Sequence, residues 1–346
     1  YSIDVVHAIS VQGMDIRTSQ WSDEISGIVD LPIKDLFPPI SRCHEIVGTV
    51  SKQASSETGL PEGVPVVAGV TDTLAAYLGF GFPQPGTAAE MTGTSTLLYF
   101  PVNKRMTDGG TLLVKPAPVG EGTVLVAPVS TVGASVNWFA ENFGRSALPE
   151  SASTGKLPFD ALNAEAEQAG AGSGGLIYFP YLAGERAPLW NSHAKGMFIG
   201  LSLKTTRREM IRSIYEGTSY AIRHNFDEAA KLGVVPDTVY AAGGGAKSDI
   251  WLKIKASVLN KPLLVLEEHV DRAAFGDCLL AGYGTRVFED VGRIARQAVS
   301  VKKIIEPDRE WAKVYSEIYP YYIKMYRHLD RDLASFENTI ASLAIN

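Results

Sequence analysis

"GVTDTLAAYLGFG", residues 69–81, puts an acid where the chain passes from one kind of element into another. Ahead of it, Val64-Pro65-Val66-Val67-Ala68 is an apolar run that reads as a buried strand. Behind it, residues 73–79 are rich in alanine and leucine, which favour a helix. Asp72 therefore stands at a strand-to-helix junction, and a buried carboxylate is costly unless it is paired or hydrogen-bonded. On one reading it caps the helix that follows. On the other it faces a cleft and accepts the proton of a substrate hydroxyl, as a general base must.

The same alternation extends in both directions. Upstream, "SIDVVHAISV" (2–11) reads as a strand, and "CHEIVGTVSKQASSETGL" (43–60) as a strand and a short helix stopped at Gly59. Downstream, "GTAAEMTGTSTLLYFP" (86–101) holds two strands around a tight turn at Gly93-Thr94-Ser95, and "TLLVKPAPV" and "GTVLVAPV" continue the pattern. "GASVNWFAENFG" (133–144) starts a helix, residues 145–175 resemble a surface insertion, and "GGLIYFPYL" (174–182) reads as a buried strand. Residues 206–233 form a long helix ended by Gly233, with Ile211, Ile214, Tyr215, Ile222 and Phe226 at helical spacing. "DTVYAAG" and "PLLVLEE" are strands. "KSDIWLKIKASVLN" and "RAAFGDCLLAGYG" are helices, the latter packed closely through small residues. A last helix spans 308–336, with Pro320 as a site for a kink. Strands alternating with helices define an α/β class.

The chain has 346 residues, enough for two domains at roughly 100–200 residues each. Hydrophobic residues make up 45%, so a sizeable core can form. The net charge of −6 argues against nucleic acid, whose backbone calls for a clustered basic surface. It leaves room for a small anion, which backbone N–H groups can hold. Cys43 and Cys278 are far apart and lack metal spacing, so a reducing compartment, the cytoplasm, is expected. No run reaches the roughly 18 apolar residues of a membrane helix, and no signal peptide is evident. The first residue is tyrosine, which fits a cut, a processed start or a start that lies ahead of this sequence.

Two glycine-rich turns follow apolar strands. In "EMTGTSTLLYF" (90–100), Gly93 permits a tight turn, and Thr94 and Ser95 offer hydroxyls beside backbone donors. An anion nest and a plain hairpin turn both fit. In "YAAGGGAKSDIWLKI" (240–254), Gly243, Gly244 and Gly245 join a strand to a helix whose N-terminus attracts negative charge. This is neither a Walker A loop nor a GxGxxG fingerprint, so a ligand loop and a structural turn remain open.

The order of these segments resembles the FGGY carbohydrate kinases. The likeness is carried by "DIRTSQWSDEI" (15–25), "LPIKDLFPPI" (31–40), "IVGTVSKQASSETGLPEGVPVVAGVTDTLAAYLG" (46–79) and "TGTS" (92–95). It continues through "GGLIYFPYLAGERAPLWNSHAKGMFIGLSLKTTRREMIRSIYEGTSYAI" (174–222), "GGGAKSDIWLKIKASVLNKPLLVLEE" (243–268) and "AAFGDCLLAGYG" (273–284). The resemblance implies a ribonuclease H-like, actin-like ATPase fold with substrate and ATP meeting between two domains. It implies Asp72 as catalytic base, Gly93, Thr94 and Ser95 as a phosphate-binding turn, and Gly243, Gly244, Gly245, Ala246 and Ser248 along the adenosine site. It also implies Mg²⁺ on the phosphates, a sugar, sugar acid or polyol as acceptor, and a homodimer as a common assembly. No protein-held metal site is expected. Glu185 and Arg186 fall in a signature read as structural or cleft-shaping.

Some features depart from that pattern. The N-terminal domain of the family opens with a D-x-G-T-type phosphate loop, which has no counterpart here, and the first dozen residues match poorly. Residues 1–80 are therefore expected to be a remnant of the N-terminal, sugar-binding domain, and 81–346 the C-terminal, nucleotide-binding domain. The missing N-terminal segment is expected as a partner, lost by cleavage, carried on another chain, or belonging to the natural protein outside this one. On that expectation the chain alone is a poor kinase. Ser257 and Asp277 stand where the family often has an acid and an alanine. A non-catalytic nucleotide-binding or regulatory protein with an actin-like domain is the alternative.

Overall fold

The computed structural model describes residues 1–143, 159–267 and 271–343. The first third is built from small pieces. Strand β1 (Ile3–Asp4) leads into helix α1 (Val5–Ser10), and β2 (Met14–Asp15) pairs with β3 (Gln20–Trp21). Helices α2 (Asp23–Val29) and α3 (Ile33–Leu36) follow, then β4 (Ile40–Ser41), which pairs with β1. The strand expected over 2–11 is thus mostly helix. The Asp4 carboxylate accepts from Val6 N at 2.9 Å and His7 N at 3.1 Å, and this cap overrides the β-branched Val5-Val6 pair.

Strand β5 (Ile46–Thr49), helix α4 (Lys52–Thr58) and β6 (Pro65–Val67) form a hairpin-like unit, with Gly59 closing α4 at φ +78°. The expectation of a buried strand before Asp72 is corrected here. Among the described residues β5 and β6 pair only with each other, and Val64 and Val66 are 38% and 41% exposed. An apolar run signals burial only when another layer covers it.

Helix α5 (Asp72–Gly79) enters the core, with all residues from Leu74 to Gly79 buried. A seven-stranded mixed sheet follows: β7 (Thr87–Thr92), β8 (Thr96–Val102), β9 (Leu113–Pro116) and β10 (Thr123–Val129), joined by β13 (Thr238–Ala242), β14 (Leu263–Leu266) and β15 (Val301–Ile305). The order across it is β15-β14-β13-β7-β8-β10-β9. A separate pair, β11 (Ile177–Phe179) and β12 (Met197–Ile199), lies between in sequence.

Helices cover both faces. Helix α6 (Val132–Phe143), α7 (Phe159–Gln168), α8 (Arg207–Lys231), α9 (Asp249–Leu259) and α12 (Arg309–Ser342) contribute to one apolar cluster; α5, α10 (Arg272–Gly284) and α11 (Val291–Ala298) contribute to another. Helix α8 follows its sequence pattern: Ile211, Ile214, Tyr215, Ile222 and Phe226 are all buried, and Thr206 with Glu209 makes a capping box. Helix α5 crosses α10 at very close range, because a Cβ on Gly276 would overlap the Ala75 carbonyl and one on Gly79 the Arg272 carbonyl. The small residues of 272–284 are what permit that approach.

One further expectation changes. Residues 145–175 are not simply an insertion: α7 buries Leu162 and Ala166, while 144–158 lie outside the described residues. Tyr315, Tyr319, Tyr322 and Tyr326 of α12 pack into the main core, with Tyr322 stacked on Phe179 at 4.7 Å. The buried Arg212 ties α7, α8 and α12 together. It donates to Glu216 at 2.9 Å, to the Ala166 and Ala169 carbonyls at 3.1 and 2.9 Å, and to Tyr315 at 2.9 Å, with Trp311 over its guanidinium.

Candidate active site

Strand direction decides where the glycine turns meet. β13 runs parallel to β7, and β10 is antiparallel to β8, itself antiparallel to β7. The C-terminal ends of β7, β10 and β13 therefore lie on one edge of the sheet. Ligands of α/β proteins bind at such edges, where strand ends open a crevice.

Each strand end contributes a turn. Gly93, Thr94 and Ser95 are the hairpin loop between β7 and β8, where Gly93 N donates to Ser95 O at 2.8 Å. The start of α6 rests on this loop: Ala134 N donates to Thr94 O at 2.9 Å, and a Cβ on Gly133 would overlap the Gly93 carbonyl. From β13 the chain turns at Gly243 (φ +84°, ψ −174°) and makes a single 3₁₀ turn over Gly244–Lys247. Ser248 then caps α9, accepting from Trp251 N at 3.3 Å.

These turns border a cavity of about 470 Å³. Gly93, Gly133, Gly244 and Gly245 line it with backbone alone, and Ser248 and Trp251 line it from α9. Asn163 of α7 closes another side. Its Oδ1 accepts from Tyr215 OH at 2.7 Å and from Ser248 Oγ at 2.8 Å, so helices α7, α8 and α9 meet at one atom. Tyr215 and Trp251 stack at 5.2 Å, and the buried Trp251 Nε1 has no protein partner. A space of this size with a flat aromatic wall fits a purine nucleotide.

Of the residues picked out by sequence, the cavity gathers Gly93, Gly244, Gly245 and Ser248. Gly243 lies at the start of the same turn, Ala246 packs toward the core, and Thr94 and Ser95 complete the hairpin loop without lining the cavity. Asp72 stands apart. It is exposed, it is the first residue of α5, and Thr71 rather than Asp72 caps that helix, accepting from Leu74 N at 3.4 Å. Asp72 Oδ1 instead accepts from Thr73 N at 2.6 Å. Its charge is felt by Asp277, whose carboxyl is pushed up by burial and then by Asp271 and Asp72. Asn163 and Trp251 carried no sequence signal of their own and Tyr215 only that of a helix face, since the three meet only through the packing of three helices.

The Glu185 signature supports the same edge. Glu185 is 4% exposed, and its Oε1 accepts from Ser130 N and Arg186 N, each at 2.7 Å. Ser130 follows the end of β10, so Glu185 fastens its segment beside the cavity. Burial pushes this carboxyl up to about 7. Ser257, where an acid was expected, accepts from Asp308 N at 3.0 Å and joins α9 to the start of α12. Among the described residues, no group of three or more His, Cys, Asp or Glu side chains is placed to hold a metal, and no helix is long and apolar enough to cross a membrane.

A mixed sheet with helices on both faces and a nucleotide-sized cavity at its strand ends is the arrangement of the ribonuclease H-like, actin-like ATPases. The chain belongs to the FGGY family of carbohydrate kinases: the model of the family's C-terminal domain matches residues 88–285, and that of its N-terminal domain residues 1–79. A gluconokinase from Bacillus licheniformis is 28% identical over 348 residues, covering 99% of this chain and 67% of its own length. A xylulose kinase from Staphylococcus epidermidis is 27% identical over 323 residues, covering 92% of this chain and 62% of its own. The ligand-bound xylulose kinase from Lactobacillus acidophilus superposes with a TM-score of 0.88 at 24% identity, over 97% of this chain and 66% of that one. The chain thus spans about two thirds of the length of these relatives. One expectation is overturned. Residues 1–79 match the model of the N-terminal domain itself, so the chain carries matched parts of both domains, and the missing N-terminal segment is dropped as a partner. That expectation rested on the absence of a D-x-G-T loop and on the weak likeness of the first dozen residues, neither of which tests the rest of residues 1–79.

Proposed function

We propose that this protein is an ATP-dependent carbohydrate kinase that transfers the γ-phosphoryl group of ATP to a hydroxyl of a sugar, sugar acid or polyol. The observation that carries this reading is the cavity where the ends of β7, β10 and β13 converge, lined by side-chain-free Gly93, Gly133, Gly244 and Gly245. In this proposal Gly243, Gly244, Gly245, Ala246 and Ser248 line the adenosine part. Gly93 shapes the phosphate turn, its own N–H being committed to Ser95 O, and the amides and hydroxyls of Thr94 and Ser95 face the phosphates. Asp72 takes the proton of the acceptor hydroxyl as its oxygen bonds to the γ-phosphorus and ADP departs with the bridging oxygen. The exposure of Asp72 suits a group that must meet a diffusing substrate. Mg²⁺ is proposed to sit chiefly on the phosphates, as that ion usually does, and to neutralise their charge.

The proposed division is 1–80 and 81–346, with α5 at the junction. The free thiols of Cys43 and Cys278 support a reducing compartment, the cytoplasm. A ketose or an aldonate is the first candidate acceptor, from the names of the relatives. The test is ADP release from ATP and Mg²⁺ over a panel of ketoses, aldonates and polyols. Release that depends on one acceptor class supports the kinase. ADP binding without acceptor-dependent release from any of them supports the nucleotide-binding protein instead.

A further inference from the structure

A buried ion pair lies directly beneath the cavity, and nothing in the proposed chemistry uses it. Glu90 of β7 and Lys255 of α9 are each 1% exposed, and Lys255 Nζ donates to Glu90 Oε1. Lys255 also donates to Thr92 Oγ1 at 3.3 Å and faces the Trp251 ring at 4.7 Å. Thr92 Oγ1 donates in turn to Glu90 Oε1 and lies 2.8 Å from Thr96 Oγ1, at the other foot of the hairpin. Burial of such a pair is weak support for stability, because apolar residues of similar volume commonly do as well. Glu90 Oε2 is moreover left without a protein partner, a further cost. Its position is more telling than its strength.

Thr92 is the residue on which both glycine turns rest. It is the last residue of β7, immediately before Gly93. A Cβ on Gly243 would stand 2.6 Å from the Thr92 carbonyl, and one on Gly245 would stand 2.5 Å from Thr92 Cγ2. The hydroxyl held by the ion pair therefore belongs to the residue that sets the height of both turns. Through Trp251, the same lysine touches the aromatic wall of the cavity.

We infer that Glu90 and Lys255 are positioning residues for nucleotide binding: through Thr92 they hold the 93–95 turn and the 243–245 turn in register across the cavity. This rests on the reading of the cavity as the ATP site. Neither Glu90 nor Lys255 lines the cavity.

The test uses ADP as probe, with Kd read by calorimetry and folding read by urea denaturation. Thr92→Val keeps the β-branched shape against Gly245 and removes the hydroxyl; Thr92→Ser keeps the hydroxyl and removes the Cγ2 methyl beneath Gly245. The expected result is a Kd about tenfold weaker for Thr92→Val and a smaller loss for Thr92→Ser. The paired replacement Glu90→Leu with Lys255→Met is expected to fold and to show the same loss. A purely structural role predicts the reverse, with affinity following urea stability and not the hydroxyl. Unchanged ADP affinity in Thr92→Val, with the parent binding ADP, overturns the role of the pair alone. No ADP binding by the parent overturns the nucleotide-site reading and the inference with it.

Discussion

The carbonyl oxygen of Thr92 lies 2.6 Å from the point where a Cβ on Gly243 would stand. Gly243 also adopts φ +84° and ψ −174°, a region open essentially to glycine alone. Gly243→Ala therefore meets strain of about 1–3 kcal/mol and a backbone clash together. The 243–245 turn must lift away from β7 to relieve them. The expected outcome is a folded protein that binds ADP at least about tenfold more weakly, since about 1.4 kcal/mol corresponds to one decade. Calorimetry checks it, and unchanged affinity would show that the turn is not part of the nucleotide site.

The crossing of α5 and α10 is the second place where a single methyl matters. A Cβ on Gly276 would overlap the Ala75 carbonyl, and no side chain is there to yield. Gly276→Ala is expected to cost about 1–3 kcal/mol or more by overpacking. Because Asp72 begins α5, turnover should fall further than ADP affinity does. Urea denaturation beside steady-state kinetics separates the two effects.

Glu185 predicts a pH dependence of stability. Its folded carboxyl is pushed by burial from the ordinary 4.5 up to about 7. Between those values the folded protein holds a proton that the unfolded chain has released, so stability falls as pH rises from about 4.5 to 7 and levels above. At about 1.4 kcal/mol per unit the contribution is of order 3 kcal/mol. Glu185→Gln should flatten that slope, which denaturant titrations between pH 4.5 and 8 would show. A slope identical to the parent's would remove Glu185 as its source.

Arg212 is fully buried, with its hydrogen-bond partners on α7, α8 and α12 and at Ala169 just past the end of α7. Arg212→Ala leaves Glu216 buried without its cation, at an expected cost of about 3–5 kcal/mol. Since α7 carries Asn163 to the cavity, nucleotide affinity should also drop in whatever protein still folds. Loss of less than about 1 kcal/mol in urea would contradict this account of the network.

What could be read ahead of the structure followed from local rules. Helix α8 announces itself through apolar residues at helical spacing, and the turns at 93–95 and 243–245 through glycines after apolar strands. The failures were tertiary. Val64–Val67 is apolar enough to be a core strand, yet among the described residues β6 pairs with no strand but β5, and Val64 and Val66 stay exposed. Val5-Val6 favours a strand until the Asp4 carboxylate caps a helix there. Asn163 lies in a stretch rich in small and polar residues, and only the meeting of α7, α8 and α9 gives its amide two hydroxyls to accept from. The alternation of strand and helix identified the α/β class, but which side chains line the cavity depended on helices distant in sequence.

The central claim is that Asp72 is the base of a sugar-phosphorylating site whose nucleotide lies against the glycine turns. Asp72→Asn, assayed for ADP release with ATP, Mg²⁺ and the best acceptor of the panel, tests it most directly. Loss of a general base typically lowers turnover by about 10²–10⁴-fold. The account predicts a fall of that size in kcat with ADP affinity unchanged. Turnover equal to the parent's would contradict it and remove Asp72 from the chemistry.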